Sequence, residues 1–164
     1  MKVLFDRGPD APPHPREADL SDEHLAALYA AGGDPWLRVD GAATGESGRS
    51  GSINNAVDHR VFALLRRLAD AVVVGAGTVR AEEYGPAELP IVVVSRRGDV
   101  PPTLRDAPPG AVLLATCEQA EGLPAARLRL GADHVLVCGS HRVDTVRLRA
   151  ALVERGHRQL LAEG

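Results

Sequence analysis

Two short stretches carry residue types that handle phosphate. The first is Gly75-Ala76-Gly77-Thr78, directly after the apolar run Ala71-Val72-Val73-Val74. Glycines let a backbone approach an anion, and amides at a helix start, with a threonine hydroxyl, donate to it. The same four residues also suit a tight turn with no ligand. The second stretch, Ser95-Arg96-Arg97, follows the next apolar run, Ile91 to Val94. It sets one hydroxyl and two guanidiniums where an adenosine ribose would carry a 2′-phosphate, and arginine forks match phosphate bidentately. Alone, Ser95-Arg96-Arg97-Gly98 reads equally as a solvated turn, since all basic residues but Lys2 are arginine. Taken together, the two stretches point to NADP rather than NAD. A dinucleotide fingerprint of the NAD type wants a third glycine where Arg80 stands and an acidic residue at the end of the next strand, and both are absent. A phosphate loop of the nucleotide-triphosphatase type wants a lysine after the glycines, and Lys2 is the only lysine.

Other candidate chemistry is weaker. Glu82 and Glu83 could form an acid pair, yet adjacent carboxylates at a helix start are commoner as partners of its dipole. The histidines have no metal-ligand spacing, so they read as surface or capping residues and no metal is expected. No Gly-x-Ser-x-Gly occurs, which removes the nucleophile elbow. Cys117 and Cys138, the only thiols, lie outside any C-x-x-C spacing and read as small buried hydrophobes. A net charge of -3 with no basic block, and only 3% aromatic residues, leave little for binding nucleic acid or anionic membrane. No apolar run approaches the ~20 residues that a bilayer needs, and the start of the chain lacks a signal-like apolar stretch, so a cytoplasmic protein is expected.

The elements that position these residues follow from hydrophobic period. The 164 residues suit one domain, within the usual range of roughly 100 to 200. Residues 1–18 hold Pro9, Pro12, Pro13 and Pro15 and read as an irregular lead-in. Ser21 caps a helix that ends near the Gly32-Gly33 pair, and Trp36 to Val39 suits a short strand. Gly41 to Ser52 reads as a loop. Val57, Val61, Leu64, Leu65 and Leu68 form one stripe of a helix that Asn54 or Asn55 would cap. Ala71 to Val74, Ile91 to Val94, Ala111 to Ala115, His134 to Cys138 and Gln159 to Ala162 are short apolar runs suited to strands covered on both faces. A helix is expected over Thr145 to Arg155, with Asp144 as cap, Val146, Ala150 and Val153 on its apolar side, Leu148 and Leu152 broadening that side, and Gly156 as stop. Strands alternating with helices predict an α/β fold with parallel pairs and right-handed crossovers.

The arrangement Trp36-Leu37-Arg38, Val39-Asp40-Gly41-Ala42-Ala43, Ser47-Gly48-Arg49-Ser50, Gly75-Ala76-Gly77-Thr78-Val79-Arg80-Ala81-Glu82, Ile91 to Arg96 and Leu160-Leu161-Ala162-Glu163-Gly164 resembles the reductase domain of bacterial riboflavin biosynthesis, in particular the stand-alone actinobacterial pyrimidine reductases. The resemblance runs from about Leu20 onward. It implies a dihydrofolate reductase-like fold, a mainly parallel sheet flanked by helices, over 19–164. It implies NADPH as cofactor, with Gly75, Ala76, Gly77 and Thr78 at the pyrophosphate, Ser95 and Arg96 at the 2′-phosphate, and Glu163 with Gly164 as the second half of the pyrophosphate cradle. Asp40 and Glu82 would be the catalytic carboxylates, and Thr44 and Ser47 would line the substrate cleft. The implied reaction is hydride transfer to the ribosylamino carbon of 5-amino-6-(5-phosphoribosylamino)uracil or a related small molecule, a pyrimidine or a pterin.

The sequence also departs from the family pattern. Arg38 is followed at once by Val39-Asp40, which shortens the first strand, and Gly164 ends the sequence where the family continues into a second glycine, a helix and further strands. An incomplete domain is therefore expected, shortened at the first strand and the C-terminus, its final strand uncovered and its exposed apolar surface favouring a homodimer or other self-association. Two alternatives stay open: a catalytically silent remnant with weak nucleotide binding, and dihydrofolate reductase activity.

Overall fold

The computed structural model describes residues 20–30, 36–40 and 56–163. The lead-in, Thr44, Ser47, the Asn54–Asn55 cap and Gly164 lie outside these residues. Among the described residues five α-helices, α1 (Asp22–Tyr29), α2 (Ala56–Leu68), α3 (Ala76–Ala81), α4 (Leu123–Leu130) and α5 (Thr145–Glu154), accompany six strands. The strands are β1 (Trp36–Asp40), β2 (Ala71–Gly75), β3 (Ile91–Val94), β4 (Val112–Thr116), β5 (Val135–Val137) and β6 (Gln159–Glu163). They form one sheet in the order β1-β6-β2-β3-β4-β5, and every pair is parallel.

Alternation along each strand divides the core in two. Val72, Val74, Ile91, Val93, Val112, Leu114 and Val135 pack with Val79 of α3, Leu104 and Ala126 of α4 on one face. Ala71, Val92, Leu113, Ala115, Leu136 and Leu160 pack with Leu148 and Leu152 of α5 on the other. Every residue of β4 is buried, as a strand covered on both sides requires. Successive strands β2 to β5 run outward in one direction, and α5 then carries the chain back so that β6 enters between β1 and β2. The expected uncovered final strand is thus corrected: β6 pairs with β1 from Trp36↔Gln159 to Asp40↔Glu163 and with β2 from Ala71↔Leu160 to Val74↔Glu163. β1 pairs along its whole length with a strand of the same length.

Side chains fix β6 at its start. Asp70 Oδ2 accepts from the amides of Arg158 and Gln159, each at 2.8 Å. Caps behave as the sequence predicts: the Ser21 hydroxyl accepts from His24 N at 3.3 Å, and Asp144 accepts from Val146 N at 2.9 Å and Arg147 N at 3.1 Å. One face is corrected. Leu148 and Leu152 are the buried residues of α5, whereas Val146 is 77% exposed and Ala150 is exposed. Leu148 and Leu152 stand four apart and set the stripe, and Val146, two residues before Leu148, falls well off it. No helix among the described residues is long and apolar enough to cross a membrane.

Candidate functional site

Parallel strands aim all their carboxyl ends at one edge of the sheet, and ligands of open α/β sheets bind along such an edge. Gly75, Ser95, Cys117, Cys138, Glu163 and Asp40 stand there, each at or one residue past the end of its strand. The topology therefore gathers most of the sequence-predicted site residues on one side of the molecule. Asp40 and Glu163 are register partners in the sheet. The expected position of Glu82 and Glu83 at a helix start is corrected: Glu82 is the C-cap of α3, its amide donating to Thr78 O at 2.9 Å, so the pair follows the helix and cannot serve the dipole at its start.

The glycine stretch is tighter than a loop. β2 ends at Gly75 and α3 starts at Ala76, with Gly75 as N-cap at φ −68° and no side-chain hydrogen bond to the first amides. That φ suits any residue, so Gly75 is not needed for its conformation. At Gly77 an added Cβ would meet open space. This end of α3 presents backbone toward the edge of the sheet.

The end of β6 is the opposite kind of place. Leu160 belongs to the α5 face, so Leu161 and Glu163 face the other side, where α2 lies. The Glu163 carboxylate, 3% exposed, receives Arg66 Nε at 2.8 Å on Oε1 and Arg66 Nη2 at 2.7 Å on Oε2. The Tyr84 hydroxyl donates to the same Oε2 at 2.7 Å. The Arg66 guanidinium in turn stands 4.7 Å from the Phe62 ring centroid and 5.7 Å from that of Tyr84. The Glu163 hydrogen bond holds the Arg66 proton more firmly than usual, and burial together with Glu163 pushes the Tyr84 hydroxyl up. Arg66 and Tyr84 went unnoticed in the sequence. The available signal was Glu163 itself, a carboxylate closing an apolar strand, which requires a partner.

The edge opens at β3, β4 and β5. Arg96, Arg97, Cys117, Gln119, Glu121 and His141 line a cleft of about 300 Å3. Its walls are tied by backbone: Gly122 N donates to Arg97 O at 2.8 Å, Glu118 N to Gly139 O at 2.9 Å, and Gln119 N to Ser140 O at 3.0 Å. An ideal Cβ on Gly122 would sit 2.7 Å from Gly98 O, so the turn after β3 rests directly on the start of α4. Ser95 does not face solvent: it is 4% exposed, and its hydroxyl donates to Asp99 Oδ1. Asp99 also accepts from Arg80 Nη1 at 2.8 Å on Oδ2. The Ser95 hydrogen bond, with Arg80 and Arg97 nearby, holds the Asp99 carboxyl below the usual range. Burial pushes the Cys138 thiol up, as expected of a structural thiol.

The profile of the RibD C-terminal domain family matches residues 38–164. The chain belongs to the RibD C-terminal domain family. Among solved structures, this RibD C-terminal domain is similar to a pyrimidine reductase-like protein from Corynebacterium diphtheriae, at 24% identity and a TM-score of 0.65, over 79% of this chain and 65% of that one. It is also similar to a diaminohydroxyphosphoribosylaminopyrimidine deaminase/5-amino-6-(5-phosphoribosylamino)uracil reductase from Thermotoga maritima, at 24% identity and a TM-score of 0.50, over 80% of this chain and 39% of that one. The chain thus spans less than two thirds of either structure, and at this identity the likeness is one of fold: the α/β, dihydrofolate reductase-like architecture of the reductase neighbours. No curated protein matches the chain.

Proposed function

We propose that this RibD C-terminal domain is an NADPH-dependent reductase of the riboflavin-pathway type, acting on the ribosylamino carbon of 5-amino-6-(5-phosphoribosylamino)uracil or a closely related pyrimidine. The observation that carries the cofactor half of this reading is the cleft at the ends of β3 to β5, where two exposed guanidiniums and an exposed imidazole, Arg96, Arg97 and His141, outnumber one carboxylate, Glu121. Such a set fits a doubly charged 2′-phosphate, which arginine forks bind bidentately. The amides of Ala76, Gly77 and Thr78, uncapped by any side chain, fit the pyrophosphate.

Bound NADPH would supply the hydride. The chain itself binds and orients, which is where proteins of this kind lower the barrier. Arg96 and Arg97 anchor the adenosine end, and the Gly75 to Thr78 segment holds the middle. Asp40, the last residue of β1, would meet the reacting sugar, with Thr44, Ser47 and Gly164 as further contacts and Glu82 as a second carboxylate. Glu163 plays a different part, because its carboxylate is committed to Arg66 and Tyr84 and so fixes the strand that leads to Gly164.

Titration calorimetry with NADPH and NADH on one folded sample, followed by consumption of NADPH at 340 nm with the ribosylaminopyrimidine, tests the reading. Saturable NADPH binding with weaker NADH binding, and turnover that needs the pyrimidine, are expected. A folded sample that binds neither nucleotide overturns it.

A further inference from the structure

The turn after β3 contains a carboxylate that opposes the charge of its neighbours. Asp99 Oδ1 takes the Ser95 hydroxyl proton, Asp99 N donates back to Ser95 Oγ at 3.3 Å, and Asp99 Oδ2 accepts from Arg80 Nη1 at 2.8 Å. A serine has one proton to donate, so the Ser95 hydroxyl is already committed within the protein. Arg80 lies on α3 two residues past Thr78, so the same carboxylate also occupies the arginine closest in sequence to the glycine segment. One exposed donor, the Arg80 guanidinium, is therefore taken by an internal anion, and the Ser95 hydroxyl is buried against the same carboxylate. The arrangement is rigid. Gly98 has φ +74°, an ideal Cβ there would sit 2.9 Å from Leu123 N, and Gly122 N holds Arg97 O. The Asp99 side chain is nonetheless 46% exposed, two residues past Arg97 and within electrostatic reach of it, so its charge bears on a ligand held by Arg97.

We propose that Asp99 is a specificity-determining residue for the adenosine 2′ position: it holds down affinity for a 2′-phosphate, by repulsion and by occupying Arg80, and leaves affinity for an unphosphorylated ribose unaffected. The inference rests on the reading that the nucleotide lies along this edge, and it deepens that reading. Specificity is a difference of two affinities, and a like charge beside one of two competing ligands changes that difference alone. The discrimination carried by Arg96 and Arg97 is then smaller than the turn could supply. Loss of the carboxylate removes a repulsion and frees the Arg80 guanidinium.

The test is calorimetric affinity for 2′,5′-ADP and for 5′-ADP in the wild-type chain, Asp99→Asn and Asp99→Ser. Asparagine keeps the shape and the acceptor for Ser95, and serine keeps a smaller acceptor, while both lack the charge. Each is expected to raise affinity for 2′,5′-ADP about tenfold, the size of one unit charge acting on a phosphate dianion several ångströms away in a water-like medium, with 5′-ADP within about twofold of wild type. Binding of both ligands with an unchanged or reduced ratio in the folded variants overturns the role of Asp99 and leaves the nucleotide site standing. Absence of binding of either ligand by all three folded proteins overturns the site, and the role of Asp99 with it.

Discussion

The end of β6 and the turn after β3 sit on the same edge of one sheet, each with an arginine and a carboxylate, yet they are put to different uses. At β6 a single carboxylate, Glu163, is 3% exposed and takes three hydrogen bonds from a bidentate arginine and a phenol. At β3 the carboxylate is half exposed, one arginine is paired with it, and two more, Arg96 and Arg97, line an open cleft. The difference lies in supply and solvent. A buried acid with both oxygens hydrogen-bonded becomes part of the framework, whereas a surplus of exposed guanidiniums leaves a site for an anion from outside. Residue type at a strand end therefore does not decide function; the balance of partners around it does.

The largest effect should come from breaking the closed region. Arg66→Met leaves Glu163 buried with only the Tyr84 hydroxyl, and removing one partner of a buried pair is costly because the other charge stays uncompensated. We expect a loss of about 3 kcal/mol in urea unfolding, with affinity of the remaining folded protein for 2′,5′-ADP within about twofold of wild type. A folded variant that lost nucleotide affinity would erase the contrast between the two regions.

A second variant strikes the open region through its frame. Gly122→Ala places a Cβ 2.7 Å from the Gly98 carbonyl oxygen, a backbone atom that cannot swing away. Overpacking of this kind should cost about 2 kcal/mol and should weaken nucleotide binding as well, because the same contact holds the wall that bears Arg96 and Arg97. Thermal unfolding and calorimetry on one preparation check both. Reversing a charge in the cleft is gentler on the fold. Arg96→Glu should leave unfolding within about 0.5 kcal/mol of wild type, as surface substitutions do, while removing any preference for NADPH over NADH. Unchanged discrimination would assign the 2′-phosphate elsewhere.

What could be read in the sequence was local. Ile91 to Val94 is bounded by Pro90 and the polar Ser95, and the strand has those ends. The Gly75 to Thr78 segment and Arg96 were legible because strand, turn and cation lie within a few residues of each other. Helix α4 was not delimited. Of its eight residues only Ala126 is buried and Leu128 is 90% exposed, so no apolar stripe marks it, and its start is set by the contact of Gly122 with Gly98 across the fold. The partners of Glu163 were out of reach for the same reason: Arg66 and Tyr84 precede it by 97 and 79 residues. Asp99 was close by in sequence and was still passed over. An aspartate in a turn after Arg96-Arg97-Gly98 looks like ordinary turn chemistry until its side chain is seen between Ser95 and Arg80.

The smallest effect belongs to the phenol, and it sharpens the closed side of the comparison. Burial and the Glu163 carboxylate both oppose ionisation of Tyr84, so its folded-state pKa lies above the ordinary tyrosine value. A raised acid favours the folded state while neutral: this contribution is complete below the unfolded pKa of about 10 and is lost as pH rises through the folded value. The sequence has two tyrosines, Tyr29 and Tyr84. Absorbance at 295 nm should therefore show a tyrosinate step that appears only as the chain unfolds in base, and Tyr84→Phe should delete that step. The variant should cost about 1 kcal/mol at neutral pH, one hydrogen bond to a carboxylate that retains its arginine. If Tyr84 instead titrated at the ordinary value in the folded chain, the β6 end would be open to water, and the contrast with the cleft would shrink to one of charge alone.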